Sequence, residues 1–148
     1  MEFEDLILKN QQLVTEFPDA TKMYQDRFNY FMVEECKDTN IAKYSIAKLI
    51  TEISRNLCVV GDPDQSIYSW RNADIRNILS FQSDFPEAKI IPLEQNYRSS
   101  QNILGAAKNV ISKNTQRVDK NLWTSNDKGS LISIDDAYDT EAEARKVI

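Results

Sequence analysis

Apolar positions along this chain recur at helical spacing in some stretches and as short unbroken runs in others, and the alternation between the two outlines its elements. From Phe3 to Phe17, Leu6, Leu13, Val14 and Phe17 fall on one helical stripe, and Pro18 closes the run. Thr21 to Phe28 predicts a short second helix. Tyr30 to Glu34, YFMVE, is a compact apolar run that fits a buried strand. Asp38, Thr39 and Asn40 all suit an N-cap, and a helix is predicted from Ile41 to Arg55, with Ile41, Tyr44, Leu49 and Ile53 inward. Leu57 to Val60 is a second strand, stopped by Gly61-Asp62-Pro63-Asp64. A helix follows over Asp74 to Ser83, with Ile75, Ile78 and Leu79 inward and Pro86 beyond it. Lys89 to Leu93, KIIPL, reads as a third strand limited by Pro92. Ser99 or Ser100 can cap a helix to about Lys113, with Ile103, Leu104, Ala107, Val110 and Ile111 on one side. A polar stretch to Gly129 has Trp123 as its anchor. Leu131 to Ala137 alternates as a strand does, and Glu141 to Ile148 is helical.

The resulting β-α-β-α-β order predicts an α/β fold with parallel strands and right-handed crossovers. In such sheets ligands are met at the carboxyl ends of the strands. Those ends carry Glu34 and Glu35, then Gln65, then the block from Leu93 to Ser100, and all three are expected on one sheet edge.

Charge narrows the function. The net charge of -5 argues against a free-standing nucleic-acid binder, because phosphate contacts need a basic footprint. Any DNA contact is therefore expected to be local, through stacking and a few donors. Arg117, Lys120 and Lys128 are too diluted by acids to form a strong patch. With no histidine and only Cys36 and Cys58, a zinc site is not expected, and the cysteines are expected as reduced thiols. No apolar run reaches membrane-spanning length and the acidic N-terminus lacks the order of a signal peptide, so a cytoplasmic chain is expected. At 148 residues the chain suggests one domain or parts of two.

The densest chemistry lies in Gln65-Ser66-Ile67-Tyr68-Ser69-Trp70-Arg71. Gln65 and Arg71 offer donors to a phosphate, and Tyr68 and Trp70 offer flat faces to an unpaired base. In an extended segment the two rings would point the same way. A loop whose aromatics cap a core is the plainer account. At the first strand end, the adjacent carboxylates of Glu34 and Glu35 can hold Mg²⁺ and polarise a water; a solvated acidic turn is the plainer account there.

These residues carry a resemblance. GDPDQSIYSWR resembles motif III of the UvrD/Rep/PcrA group of superfamily-one DNA helicases, and LEQNYRSS (Leu93 to Ser100) resembles their motif IV. The resemblance implies a partial RecA-like (P-loop NTPase) parallel sheet with flanking helices over residues 1–94, the C-terminal part of a first motor lobe. It implies the start of a second RecA-like lobe over residues 95–148. Carried over residue by residue, Glu34 takes a metal place and Glu35 the metal and general-base place of motif II. Gln65 takes a catalytic, ATP-contacting place, and Tyr68, Trp70 and Arg71 take DNA-contacting places. Tyr97 stacks on adenine and Arg98 reaches the γ-phosphate. The implied cofactors are ATP and Mg²⁺, with binding by this chain alone left open, and the implied partner is single-stranded DNA. Three departures stand out. Glu34 replaces the family's Asp, Lys37 its Gln, and Asn72 its usual Gly, a change that Asn tolerates at positive φ.

No GxxxxGK[ST] occurs, and none of the three glycines opens a phosphate loop. The chain is therefore expected to be an internal piece of a helicase motor that does not hydrolyse ATP alone. Open strand edges are expected to favour self-association or pairing with a complementing chain. The alternative is a non-catalytic helicase-derived module that binds a partner chain or single-stranded DNA.

Overall fold

A computed structural model describes residues 3–115 and 117–147, without the side chains of Phe3 and Glu4. The chain forms two compact units: Met1–Ile91 with Gln116–Val118, and Pro92–Thr115 with Asp119–Ile148.

In the first unit, α1 (Phe3–Glu16), α2 (Pro18–Arg27) and α3 (Ile41–Ile50) pack on one another. Two short strands, β1 (Phe31–Val33) and β2 (Leu57–Val59), pair in parallel with Phe31 opposite Leu57 and Val33 opposite Val59. Backbone bonds extend the ladder at both ends: Phe31 N–H to Asn56 O at 3.1 Å, Val60 N–H to Val33 O at 2.8 Å, and Cys36 N–H to Val60 O at 2.9 Å.

The helices stand where their periodicity places them, but their inner faces differ from expectation. In α3 the buried residues are Tyr44, Ala47 and Ile50, while Ile41 and Ile53 are exposed. For Ile53 the cause is the helix end. Thr51 is fully buried and its hydroxyl donates to Ala47 O at 2.7 Å, and Arg55 takes a left-handed φ of 52°, so Ile53 lies past the helix in a turn. Among the described side chains of α1 only Val14 is buried, while Leu6 and Leu13, and Phe17 just after the helix, are exposed.

Beyond β2, the helix expected over Asp74 to Ser83 is broken into α4 (Arg76–Leu79) and α5 (Phe81–Asp84). The break falls at Ser80, whose hydroxyl bonds back to Arg76 O at 2.6 Å and competes with the helix ladder. KIIPL forms no strand. Ile90, Ile91 and Leu93 are exposed, and Pro92 has no N–H to give a ladder. The three-strand sheet expected from the sequence is thus a two-strand sheet among the described residues, within a mixed helix and strand fold.

The second unit contains α6 (Gln101–Ile111) and α7 (Thr140–Val147). Among its described residues Leu104 is the buried apolar one, and Ile103 and Val110 remain exposed. Trp123 acts as an anchor through its backbone. It bridges Gln95, its N–H donates to Glu94 O at 2.9 Å, and its carbonyl accepts from Asn96 N–H at 2.7 Å. Ser100 occupies the N-cap of α6 without a side-chain cap bond. Instead the carbonyls of Asp127 and Lys128 accept from the N–H groups of Gln101 and Asn102, both at 3.1 Å. Gly129 follows at φ 70°, where an added Cβ would lie 2.5 Å from the Ser100 hydroxyl. The run expected as a strand from Leu131 to Ala137 pairs with nothing in the ladder sense and is exposed throughout. The last residue of the expected terminal helix, Ile148, lies outside the described residues.

Candidate functional site

Two loops leave neighbouring ends of the parallel strands, and both carry residues singled out by the sequence. The loop after β2 begins with a tight turn. Asp62 accepts the Asp64 N–H at 3.0 Å and the Gln65 Nε2 at 2.9 Å, around a 3₁₀ turn at Pro63–Gln65. Gln65 is therefore positioned by Asp62. A second 3₁₀ turn, Ser69–Arg71, closes with Asn72 at φ 62°. Asn72 holds the left-handed conformation that the family's glycine position led us to expect.

Tyr68 and Trp70 lie on this second turn, not on an extended segment. They meet edge to face, with ring centroids 6.2 Å apart and planes at 62°. The Arg71 guanidinium sits 4.4 Å from the Trp70 ring centre and 5.6 Å from that of Tyr68. Trp70 is 70% exposed and Tyr68 36%, so they do not cap a core. An exposed cation–π contact contributes about 0.5–1 kcal/mol, enough to bias Arg71 toward the rings.

The loop after β1 is built differently. Glu34 is exposed, and Glu35 takes a left-handed φ of 51° ahead of a 3₁₀ turn at Cys36–Asp38. Cys36 and Lys37 are buried. The Lys37 ammonium hydrogen-bonds and ion-pairs with the Glu35 carboxylate and lies 3.6 Å from that of Asp38. Burial alone would push the Lys37 pKa down. The Glu35 bond and the charges of Asp38 and Glu35 outweigh it, and the pKa ends above the ordinary lysine value. Burial pushes the Cys36 thiol up, against the opposing hydrogen bond from Thr39.

The two loops are braced together. A Cβ on Gly61 would lie 3.2 Å from Cys36 N and 3.3 Å from Lys37 N, so only glycine leaves room for the loops to touch. Ser66 Oγ donates to Lys37 O at 3.4 Å. Buried Asn77, on α4, donates to Thr39 O at 2.9 Å, and Asp74 N–H donates to the same carbonyl at 3.0 Å.

Glu35 and Gln65 thus engage different partners, Lys37 and Asp62. The fit to Mg²⁺ fails on the same ground. The carboxylate that would face a metal is held by an ammonium, and among the described residues no group of three or more His, Cys, Asp or Glu side chains could hold a metal ion. Cys36 and Cys58 are both free thiols.

The remaining candidates, Tyr97 and Arg98, belong to the second unit. Asn96 sets their backbone: its Oδ1 accepts from Arg98 N–H at 3.0 Å and Ser99 N–H at 2.7 Å. Tyr97 is 77% exposed and its hydroxyl donates to Gln95 Oε1 at 2.8 Å. Sequence reasoning missed Asp62, Asn77 and Asn96 as supports. Asp62 before a proline and Asn96 directly before the exposed pair carried the signal, since both residue types bond their own backbone two places on. A groove of about 300 Å³ lies among α1, α2 and α3, lined by Ile7, Val14, Phe28 and Ile46 among others, and includes no residue of either loop.

Comparison with known proteins places the sequence in a family. The model described as UvrD/REP helicase N-terminal domain matches residues 1–86, and that described as UvrD-like helicase C-terminal domain matches residues 91–148. The chain belongs to the UvrD/Rep helicase family. It is 50% identical over all 148 of its residues to the ATP-dependent DNA helicase PcrA of Staphylococcus epidermidis, and 49% identical to that of Staphylococcus aureus. In each case the match covers 100% of this chain and 20% of the relative, so the chain spans about a fifth of the length of these curated relatives. Among the described residues no helix is long and apolar enough to cross a membrane.

Proposed function

We propose that this chain is part of a cytoplasmic ATP-dependent DNA helicase that couples ATP hydrolysis to translocation along DNA and its unwinding. The observation that carries this reading is the exposed Tyr68–Trp70 pair with Arg71 over both rings, on a loop at a strand end. Stacking on aromatic side chains accepts any base, as movement along a strand requires. In this reading Tyr68, Trp70 and Arg71 contact single-stranded DNA. Gln65 and Arg98 contact the ATP phosphates, Tyr97 contacts adenine, and Glu35 stands at the general-base position. Residues 1–94 are the C-terminal part of a first RecA-like motor lobe, and residues 95–148 open a second. The family-model boundary between residues 86 and 91 supports that division.

The sequence holds no phosphate loop, so the chain alone has no cradle for the β and γ phosphates. It is expected to release no phosphate from ATP. DNA-stimulated release that disappears in Arg98→Ala would overturn this. The binding role is tested by titrating tryptophan fluorescence with a single-stranded oligonucleotide at low salt. Quenching that is lost in Trp70→Ala supports base stacking, and no quenching removes the DNA role.

One observation favours a second reading. The hold of Lys37 on Glu35, with Glu34 exposed, suits a non-catalytic module better than a hydrolytic centre. Such a module would bind single strands through the same aromatic pair, or a partner chain along the sheet. Parallel sheets are ordinarily covered on both faces, yet Met32 and Cys58, paired across the ladder, are both exposed.

A further inference from the structure

We infer that Lys37 is a tethered counter-ion: its ammonium fills the cation position between the Glu35 and Asp38 carboxylates, and the acidic loop is held by it without a divalent metal. This holds whether or not the DNA reading is right, because it rests on the loop alone.

The first support is burial. The Lys37 side chain is 6% exposed, whereas that of Glu35 is 68% exposed. A lysine is almost never buried to this degree unless paired. Here the ammonium is the fixed element, and the carboxylate reaches in to it. Second, the local backbone is shaped to gather the three groups. Glu35 adopts the left-handed conformation, which is uncommon for a residue with a side chain, and the 3₁₀ turn Cys36–Asp38 then places positions 35, 37 and 38 around one point. Third, the turn is anchored from outside by Cys36 N–H to Val60 O, by the close approach of Gly61, and by Ser66 Oγ to Lys37 O. The charge is therefore held in place by main-chain contacts.

The chemistry follows. A lysine ammonium has three donors and no acceptor, so it can satisfy two carboxylates without the near-octahedral shell that Mg²⁺ demands. A divalent ion entering at Glu35 would have to displace the ammonium and strand a buried positive charge beside a second one. Drawing the Glu35 carboxylate away leaves the buried ammonium with Asp38 at 3.6 Å as its remaining counter-charge, and an underpaired buried charge is costly. The ammonium also has no open coordination position and cannot present a bound water, so the loop becomes a structural clasp.

The test compares Mn²⁺ binding to the 148-residue chain and to its Lys37→Gln variant, read from the electron paramagnetic resonance signal of free Mn²⁺. Removal of the ammonium should strengthen Mn²⁺ binding by about tenfold or more. The gain should vanish in the double variant Lys37→Gln/Glu35→Gln. No gain in a folded Lys37→Gln chain, or a gain that survives loss of Glu35, overturns the inference. Should Lys37→Gln fail to fold, the unaltered chain still decides. Under limited acylation followed by mass spectrometry, Lys37 should react far more slowly than exposed Lys89, at a rate that millimolar Mg²⁺ does not change. A Lys37 rate equal to that of Lys89, or one that rises with Mg²⁺, overturns it.

Discussion

The two strand-end loops sit side by side and are made of similarly polar residues, yet one is closed and the other open. In the loop after β1, Cys36, Lys37 and Thr39 are buried, and the charges face one another. In the loop after β2, no residue from Gly61 to Asn72 is buried, and Trp70 projects into solvent with a cation above it. The difference lies in where each loop satisfies its polar groups. The first pairs its buried Lys37 with the Glu35 and Asp38 carboxylates. The second holds its turns through Asp62 and through Ser69–Arg71, and it keeps the Tyr68 and Trp70 rings exposed. The brace between the two loops makes the pair a unit.

That contrast can be broken from the brace outward. Gly61→Val should have the largest effect, because the new side chain meets Ile78 Cδ1 at 3.0 Å and two backbone nitrogens that cannot yield easily. A loss of about 3 kcal/mol is expected in urea denaturation, at the upper end for overpacking. Asn77→Ala should follow, at about 2 kcal/mol by the same measurement, since it leaves the buried Thr39 carbonyl with one donor fewer. Trp70→Ala should do the reverse. Oligonucleotide affinity should fall by about 1–2 kcal/mol, close to tenfold, while stability stays within about 0.5 kcal/mol. If Trp70→Ala destabilised the chain as much as Asn77→Ala, the open loop would be structural after all and the contrast would fail.

Smaller effects sharpen the comparison by testing the frame around the loops. Hydrogen bonding from Lys48 chiefly lowers the Asp84 pKa, burial opposes it, and the Tyr44 hydroxyl adds to the lowering. A carboxyl depressed in the folded state contributes stability above its ordinary titration range, and that contribution is lost as pH falls through the folded value. Thermal unfolding should therefore show an acid-side loss of stability that is shallower in Lys48→Met. Smallest of all, Asn72→Gly should change stability by only a few tenths of a kcal/mol, because both residues accept a φ of 62°. Asn72→Val should cost about 1–2 kcal/mol in the same assay.

Helix and strand positions were legible because periodicity reports local preference. The helices at Phe3–Glu16, Ile41–Ile50 and Gln101–Ile111 and the strands at Phe31–Val33 and Leu57–Val59 all lie within their expected spans. Asn72 was legible because positive φ admits few residue types. The inner faces were less so: which side of a helix is covered depends on its neighbours, and Ile53 was assigned to a stripe of a helix that Thr51 and Arg55 had already ended. KIIPL and LISIDDA have strand-like composition, but a strand exists only with a partner, and no run of residues reveals its partner. At the site, the aromatic pair was read from residue type, whereas the turn that brings it together was not. Nothing in GDPDQSIYSWR distinguishes an extended Tyr68–Trp70 segment from a 3₁₀ one. Lys37 stood out only as a departure from family pattern, and its burial between two acids is a tertiary fact.

The first turn of α6 is closed by carbonyls from Asp127 and Lys128, far downstream of the helix itself. During synthesis that helix emerges with its leading amides still bare and waits for the later segment to arrive. A protease nick anywhere in the intervening connection would leave every α6 residue in place, yet unseat its start as soon as the severed piece drifts off. The start of α6 is therefore tied to loop closure as well as to helix preference.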